Sequence, residues 1–241
     1  MNAISSVVRS TTVPGTTTGC GSCSSVGHCL AEHTCGSVTR VRPGDVLFRA
    51  DERASGVWQI LEGSIALSRL TLEGHEAVVR LPRRDTVIGH RSYLSGTPHS
   101  TTAKALTPAR VKFMPAWVID TARAAPARSR ASFDAAVAAA YAEQQERMTE
   151  ILVRPARVRF LHFCAWLAES TGISTTSAYT VTVPMTFGDL AALLGIAPES
   201  FSRMIGRMKR DGVLRASRRS MSFTAEWRSY LDAIDLRSGR R

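Results

Sequence analysis

The sequence predicts an α+β protein: a β-barrel or sandwich, then one long amphipathic helix, then a helical unit that ends in a winged helix-turn-helix. Three observations predict it. Turn residues recur at strand-length intervals through the first half of the chain; a stretch free of Gly and Pro with helical periodicity follows; and two short helical patterns joined by a Gly-containing turn lie near the C-terminus. With 241 residues, 44% of them hydrophobic, the chain can bury two modest cores. No apolar run approaches the roughly eighteen residues that a membrane span needs. The opening residues MNAISSVVRS lack the basic lead and apolar stretch of a secretory signal. A cytoplasmic protein with no membrane partner is expected.

The β-rich segment runs from about Val38 to Pro115. Turn signals fall at Pro43-Gly44-Asp45, Glu62-Gly63, Glu73-Gly74, Arg84-Asp85, Ser95-Gly96 and Thr107-Pro108, with Val57–Leu61, Ile65–Leu70, Ala77–Leu81 and Val111–Met114 as apolar runs between them. Short strands at such regular spacing close into a sandwich or barrel. Between Ser129 and Val153 the texture changes, and Val137, Tyr141, Gln144, Met148 and Ile151 fall at helical a/d spacing before Pro155 ends the helix. Such a stripe must be buried. A symmetric partner helix would cover it economically, and packing on the protein's own barrel is the other solution. Arg157–Ser170 reads as a further helix whose Cys164 is expected to be a small buried hydrophobe.

The C-terminal pattern is more specific. Thr186-Phe187-Gly188-Asp189 is a Thr-x-x-Asp capping signal, and the helix it starts stops at Gly195. Ile196 would be the buried residue of the turn. Pro198 suits the first position of a second helix, although Ala197 is a poor cap before it. That helix places Phe201, Ile205 and Met208 on one face, with Glu199, Ser202, Arg203, Arg207 and Arg210 on the other. Val213–Ala216 and Met221–Phe223, joined by Ser217-Arg218-Arg219-Ser220, form a hairpin wing.

Charge points the same way. The formal charge is +11, and from Arg203 to Arg219 seven Lys and Arg residues face only Asp211. Such a balance suits a polyanion, because each phosphate neutralised releases a counterion. A merely soluble basic surface is the plain alternative. Arg203 can donate to guanine N7 and O6, and Glu199 can accept from cytosine N4. One turn apart, the same two residues could instead form an ordinary surface ion pair.

These parts in this order resemble the CRP/FNR family of transcription regulators. The similarity is carried by Met185–Leu190, Leu194-Gly195-Ile196 and Glu199–Arg207, by Arg42-Pro43-Gly44-Asp45-Val46-Leu47-Phe48, and by the Leu61-Glu62-Gly63 turn. The resemblance implies a cyclic-nucleotide-binding-like jelly roll over 37–120, a dimerisation helix over 121–153 and a winged helix-turn-helix over 154–241, preceded by an arm over 1–36. It implies a homodimer through Val137, Tyr141, Met148 and Ile151, DNA contact by Glu199, Ser202, Arg203, Arg207, Arg210, Arg218 and Arg219, and RNA polymerase as a partner. The Glu199-x-x-Ser202-Arg203 pattern is similar to the FNR branch, which implies TTGAT-type half-sites. Gly89 is followed by His90, and the segment that would face a cyclic phosphate reads Pro98-His99-Ser100-Thr101-Thr102, so no cyclic nucleotide is expected.

Four of the five cysteines, Cys20, Cys23, Cys29 and Cys35, lie within sixteen residues of a Gly/Ser-rich arm. A cluster of this kind reads as metal ligation or redox chemistry rather than as a secreted disulfide framework. The spacing of the first three is similar to the iron–sulfur ligands of FNR, which implies a [4Fe–4S] cluster sensitive to oxygen or nitric oxide. The family's fourth ligand, from the barrel, aligns with Lys112, so Cys35 is the natural substitute. Structural zinc, with His28 or His33 as further donors, and a thiol–disulfide switch are the other readings. An iron–sulfur redox protein with an incidental basic tail belongs to another class. Against it, the sequence holds no nucleotide-binding glycine loop and no catalytic dyad.

Overall fold

The computed structural model describes residues 36–71, 74, 76–124, 127–217 and 220–238. The described residues form two compact units, one of residues 36–69 together with Leu81–Ala142, the other of Leu70–Arg80 together with residues 143–238. The four cysteines of the arm and the wing-tip arginines Arg218 and Arg219 lie outside the described residues.

The N-terminal strands are β1 (Ser37–Val41), β2 (Val46–Phe48), β3 (Gly56–Glu62), β4 (Ile65–Leu70), β5 (Glu76–Arg80), β6 (Val87–Ile88), β7 (Thr102–Ala105) and β8 (Ala109–Pro115), with the short helix α1 (His90–Ser95) after β6. They form two four-stranded sheets of order β1-β8-β3-β6 and β2-β7-β4-β5. This is a jelly-roll sandwich, not a closed barrel. Both sheets contribute to one core through Val41, Phe48, Ile60, Ile65, Leu67, Ile88, Ala103, Ala105, Ala109 and Val111. The expected turns set the corners. Gly63 has φ +81, and a Cβ there would lie 2.4 Å from the Pro108 carbonyl oxygen, so only glycine closes the β3–β4 hairpin without displacing its neighbour.

Helix α2 (Ala116–Ala124) precedes the long helix α3 (Ala127–Val153). A second cluster joins them to the sandwich: Val57, Val87, Met114, Ile119 and Phe133, flanked by Tyr93, Ala136 and Val137. The a/d stripe read from the sequence is therefore shared between neighbours. Val137 packs on its own chain, whereas Tyr141 and Met148 are 61% and 63% exposed.

Besides β5 and the end of α3, the second unit holds α4 (Ala156–Ser170), β9 (Tyr179–Thr182), α5 (Phe187–Leu193), α6 (Pro198–Arg210), β10 (Leu214–Ala216), β11 (Ser220–Phe223) and α7 (Trp227–Ser238), and its three-stranded sheet has the order β10-β11-β9. Aromatic rings centre the core. Phe160 is fully buried and meets Phe201 edge-on at 5.6 Å, while Tyr179 stacks on Phe223 at 4.8 Å. Cys164 is fully buried, 3.9 Å from the Met221 sulfur, and burial pushes its thiol well above the usual range. It is a packing residue, as its helix suggests.

Phe160→Ala removes the ring on which α4, α6 and β11 converge. Truncations of this kind cost about 3–5 kcal/mol. Urea unfolding of the variant is expected to show a lower midpoint than that of the wild type.

Candidate nucleic-acid interface

The helix-turn-helix is built by local chemistry. Thr186, in extended backbone, accepts a hydrogen bond from the Asp189 N–H at 3.1 Å, and the Asp189 carboxylate accepts the Thr186 N–H at 3.3 Å. This reciprocal capping box satisfies donors that every helix N-terminus leaves open. At the other end Gly195 takes φ +62 and turns the chain, with Ile196 buried beneath. Pro198 stands at the start of α6, and no side chain caps it, as expected of Ala197.

Helix α6 divides sharply between two faces. Phe201, Met204, Ile205 and Met208 are buried, and Glu199, Ser202, Arg203, Arg207, Lys209 and Arg210 are exposed. Met204 joins the inner stripe, which is one residue wider than the three read from sequence. Arg203 donates to the Ser200 hydroxyl at 3.2 Å, and among the described residues no ion pair joins it to Glu199. Both side chains are thus left to face solvent. Lys209 donates to the Ala216 carbonyl at 3.2 Å, tying the end of α6 to the wing.

Helix α7, absent from the sequence-based expectation, braces this arrangement. The Trp227 indole and the Arg228 guanidinium both donate to the Thr175 carbonyl, at 3.1 and 3.2 Å. The Tyr230 hydroxyl donates to the Asp211 carboxylate at 3.1 Å, just past the end of α6, and accepts from Arg157 at 3.4 Å. Burial and the Asp211 contact raise the phenol's pKa, so it stays a donor at neutral pH. The spacing Trp227, Tyr230, Leu231, Ile234 is the signal that the sequence offers for it.

Comparison with known proteins adds the family context. Residues 38–122 match the cyclic nucleotide-binding domain family, and residues 158–227 match the Crp-like helix-turn-helix domain family. Electron transport regulator A of Shewanella oneidensis is 24% identical over 174 residues, covering 72% of this chain and 69% of that protein. The fumarate and nitrate reduction regulatory protein of Escherichia coli is 23% identical over the same shares. Among solved structures, a CRP/FNR-family transcriptional regulator from Thermus thermophilus superposes with a TM-score of 0.64 at 18% identity, covering 85% of this chain and all of that one.

Thr186→Ala deletes half of the capping box. A loss of about 1 kcal/mol is expected, seen as a lower midpoint of the second unit in chemical denaturation. Thr186→Ser, which keeps the hydroxyl, should restore most of it.

Proposed function

The chain belongs to the CRP/FNR family of transcription regulators, and from that premise we propose that it works as a homodimer whose two α6 helices read a DNA palindrome of TTGAT-type half-sites. The observation that carries this reading is the division of α6. Four apolar residues lock the helix against its domain, and that fixes which face is presented: Glu199, Ser202, Arg203, Arg207 and Arg210. Arg203 and Glu199, near the N-terminal end that enters a major groove, read bases; Arg207 and Arg210 face phosphates. Arg218 and Arg219 at the wing are phosphate contacts in the same reading.

Dimerisation is assigned to α3. Of the four residues expected there, Tyr141 and Met148 are largely exposed in the protomer, and Leu152, 78% exposed, extends the same apolar surface. Val137 and Ile151 have neighbours within their own chain. We further read the protein as cytoplasmic, with RNA polymerase as a partner; among the described residues no helix is long and apolar enough to cross a membrane.

The sandwich is poorly suited to a cyclic nucleotide. His99 is buried and stacks on Phe48 with ring centres 3.9 Å apart, and its Cε1 lies 3.2 Å from where a Gly89 Cβ would be. Burial holds this imidazole below its usual pKa, so a phosphate would meet a neutral ring where a guanidinium is needed. The donor set of the arm does suit an iron–sulfur cluster. Four thiolates are the required number, and Cys20, Cys23, Cys29 and Cys35 would supply them. Lys112, fully buried on β8, offers no thiolate at the position of the family's fourth ligand. The Cε of Lys112 lies 3.3 Å from where a Gly36 Cβ would be, which puts the entry of the arm beside it and supports Cys35 as fourth ligand. A bound cluster would supply sensitivity to oxygen or redox state.

Three experiments test the reading. Arg203→Ala is expected to cost about 1–3 kcal/mol on the specific duplex and to relax choice at one base position. Arg218→Ala should weaken specific and random duplexes alike and flatten the salt slope; equal losses on both duplexes for Arg203→Ala would sink the base-reading assignment. Tyr141→Glu with Met148→Glu, at sites exposed in the protomer, should yield monomers by light scattering. In protein purified without oxygen, iron and sulfide should be lost in each of Cys20→Ala, Cys23→Ala, Cys29→Ala and Cys35→Ala and kept in Cys164→Ala. Zinc in the unmodified protein would replace the redox reading and leave DNA binding untouched.

A further inference from the structure

The C-terminal end of α5 is gripped from outside the helix-turn-helix. The last carbonyls of a helix have no intrahelical donor, and they carry the negative end of its dipole. Here one of them, and a carbonyl of the turn just beyond, are met by arginines from other elements. The Leu193 carbonyl accepts from the Arg147 guanidinium of α3. The Gly195 carbonyl accepts from Arg159 of α4 at 3.2 Å. The other terminal nitrogen of Arg159 donates to the Ile151 and Arg154 carbonyls, at 2.8 and 2.9 Å, which close α3. One planar cation therefore joins the end of α3 to the turn between α5 and α6.

Packing reinforces this clasp. A Cβ at Gly195 would stand 3.2 Å from Ile151 Cγ2, so the Ile151 side chain is seated against the turn. Upstream on α3, Glu143 accepts from Arg80 of β5 at 2.8 Å, with side chains only 19% and 8% exposed, and β5 itself packs on α5. Burial, chiefly, and the nearby Arg80 pull the Arg147 pKa down, and burial does the same to Arg159. Both remain charged at neutral pH, because a guanidinium starts so high. Neither lies on the exposed face of α6.

We infer that Arg147 and Arg159 are positioning residues that fix the helix-turn-helix to the end of α3, and so set the half-site spacing that the dimer accepts. The inference rests on the dimeric, DNA-reading function proposed above. Two recognition helices clasped to paired α3 helices stand at one separation and one rotation. Each base pair inserted between half-sites shifts one of them by about 3.4 Å and turns it by about 35°. A clasped dimer cannot follow that change, whereas a loosely tethered pair can.

The test uses the full-length protein and inverted half-sites, TTGAT on the present reading, that it selects from a pool of random duplexes. Affinities are measured for the selected spacing and for duplexes with one or two base pairs inserted. Wild-type protein is expected to lose at least about 100-fold on the longer spacers, since the geometry then forbids both sites being engaged together. Arg147→Gln with Arg159→Gln should cut that penalty to below about tenfold and leave the salt slope unchanged, because both guanidiniums are engaged by backbone carbonyls and lie off the face assigned to DNA. Arg159→Lys, which keeps the charge but loses the fork, should fall between them. Where the double variant does not fold by thermal unfolding, the wild-type series and Arg159→Lys decide. Equal wild-type affinity across spacings, or folded variants as strict as wild type, would overturn the inference alone. A pool that enriches no inverted pair would overturn the dimeric reading with it.

Discussion

The burial of Phe201, Met204, Ile205 and Met208 is the constraint on which the rest depends. A helix turns about 100° per residue, so seating four side chains on one face leaves no freedom in what the other face presents. Phe160 and Phe187 meet Phe201 edge-on, at 5.6 and 6.0 Å, and tie α6 to both neighbouring helices. Everything outward follows from that rotation: Glu199 and Arg203 come one above the other, Ser202 lies beside them, and Arg207 and Arg210 continue the basic line. The charge of +11 would be no more than a soluble surface without this fixed geometry. With it, several cations face one way on a rigid element, which is what a polyanion of regular repeat can recognise.

The long helix α3 shows how one periodic stripe can serve several neighbours. Its period is legible in the sequence, where its apolar residues form a single seam. The structure divides them because the helix begins in one compact unit and ends in the other. Phe133 and Val137 join the core of the first unit, Ala140 is buried, Ile151 is pressed to the turn at Gly195 in the second, and Tyr141 and Met148 are largely exposed. Spacing alone cannot tell these fates apart, since each needs the same apolar residue at the same helical angle.

Other differences have similarly local causes. The strands β3, β4, β5 and β8 are readable because each is five residues or longer and strongly apolar or β-branched. Strands β2 and β6, of three and two residues, fall below the length at which alternation means anything. In β7, the sequence Thr-Ala-Lys-Ala buries only alanines, so the pattern is present but its contrast is weak. The capping box at Thr186 and Asp189, the turn at Gly195 and the two-faced α6 are legible because they depend on chemistry within ten or so residues. The grip of Arg147 and Arg159 on the Leu193 and Gly195 carbonyls is not. It joins residues distant in sequence through backbone oxygens, which leave no trace in side-chain pattern.

The central claim is that the exposed face of α6 distinguishes one DNA sequence from another, beyond attracting phosphate. Fluorescence anisotropy titrations of the full-length protein on a selected palindrome and on a scrambled duplex of equal length, each across a salt series, test it most directly. Both affinities should fall as salt rises, because both include counterion release. The account predicts that the palindrome keeps an advantage of about 10³-fold or more at every salt concentration. Equal affinities for the two duplexes throughout the series would contradict it.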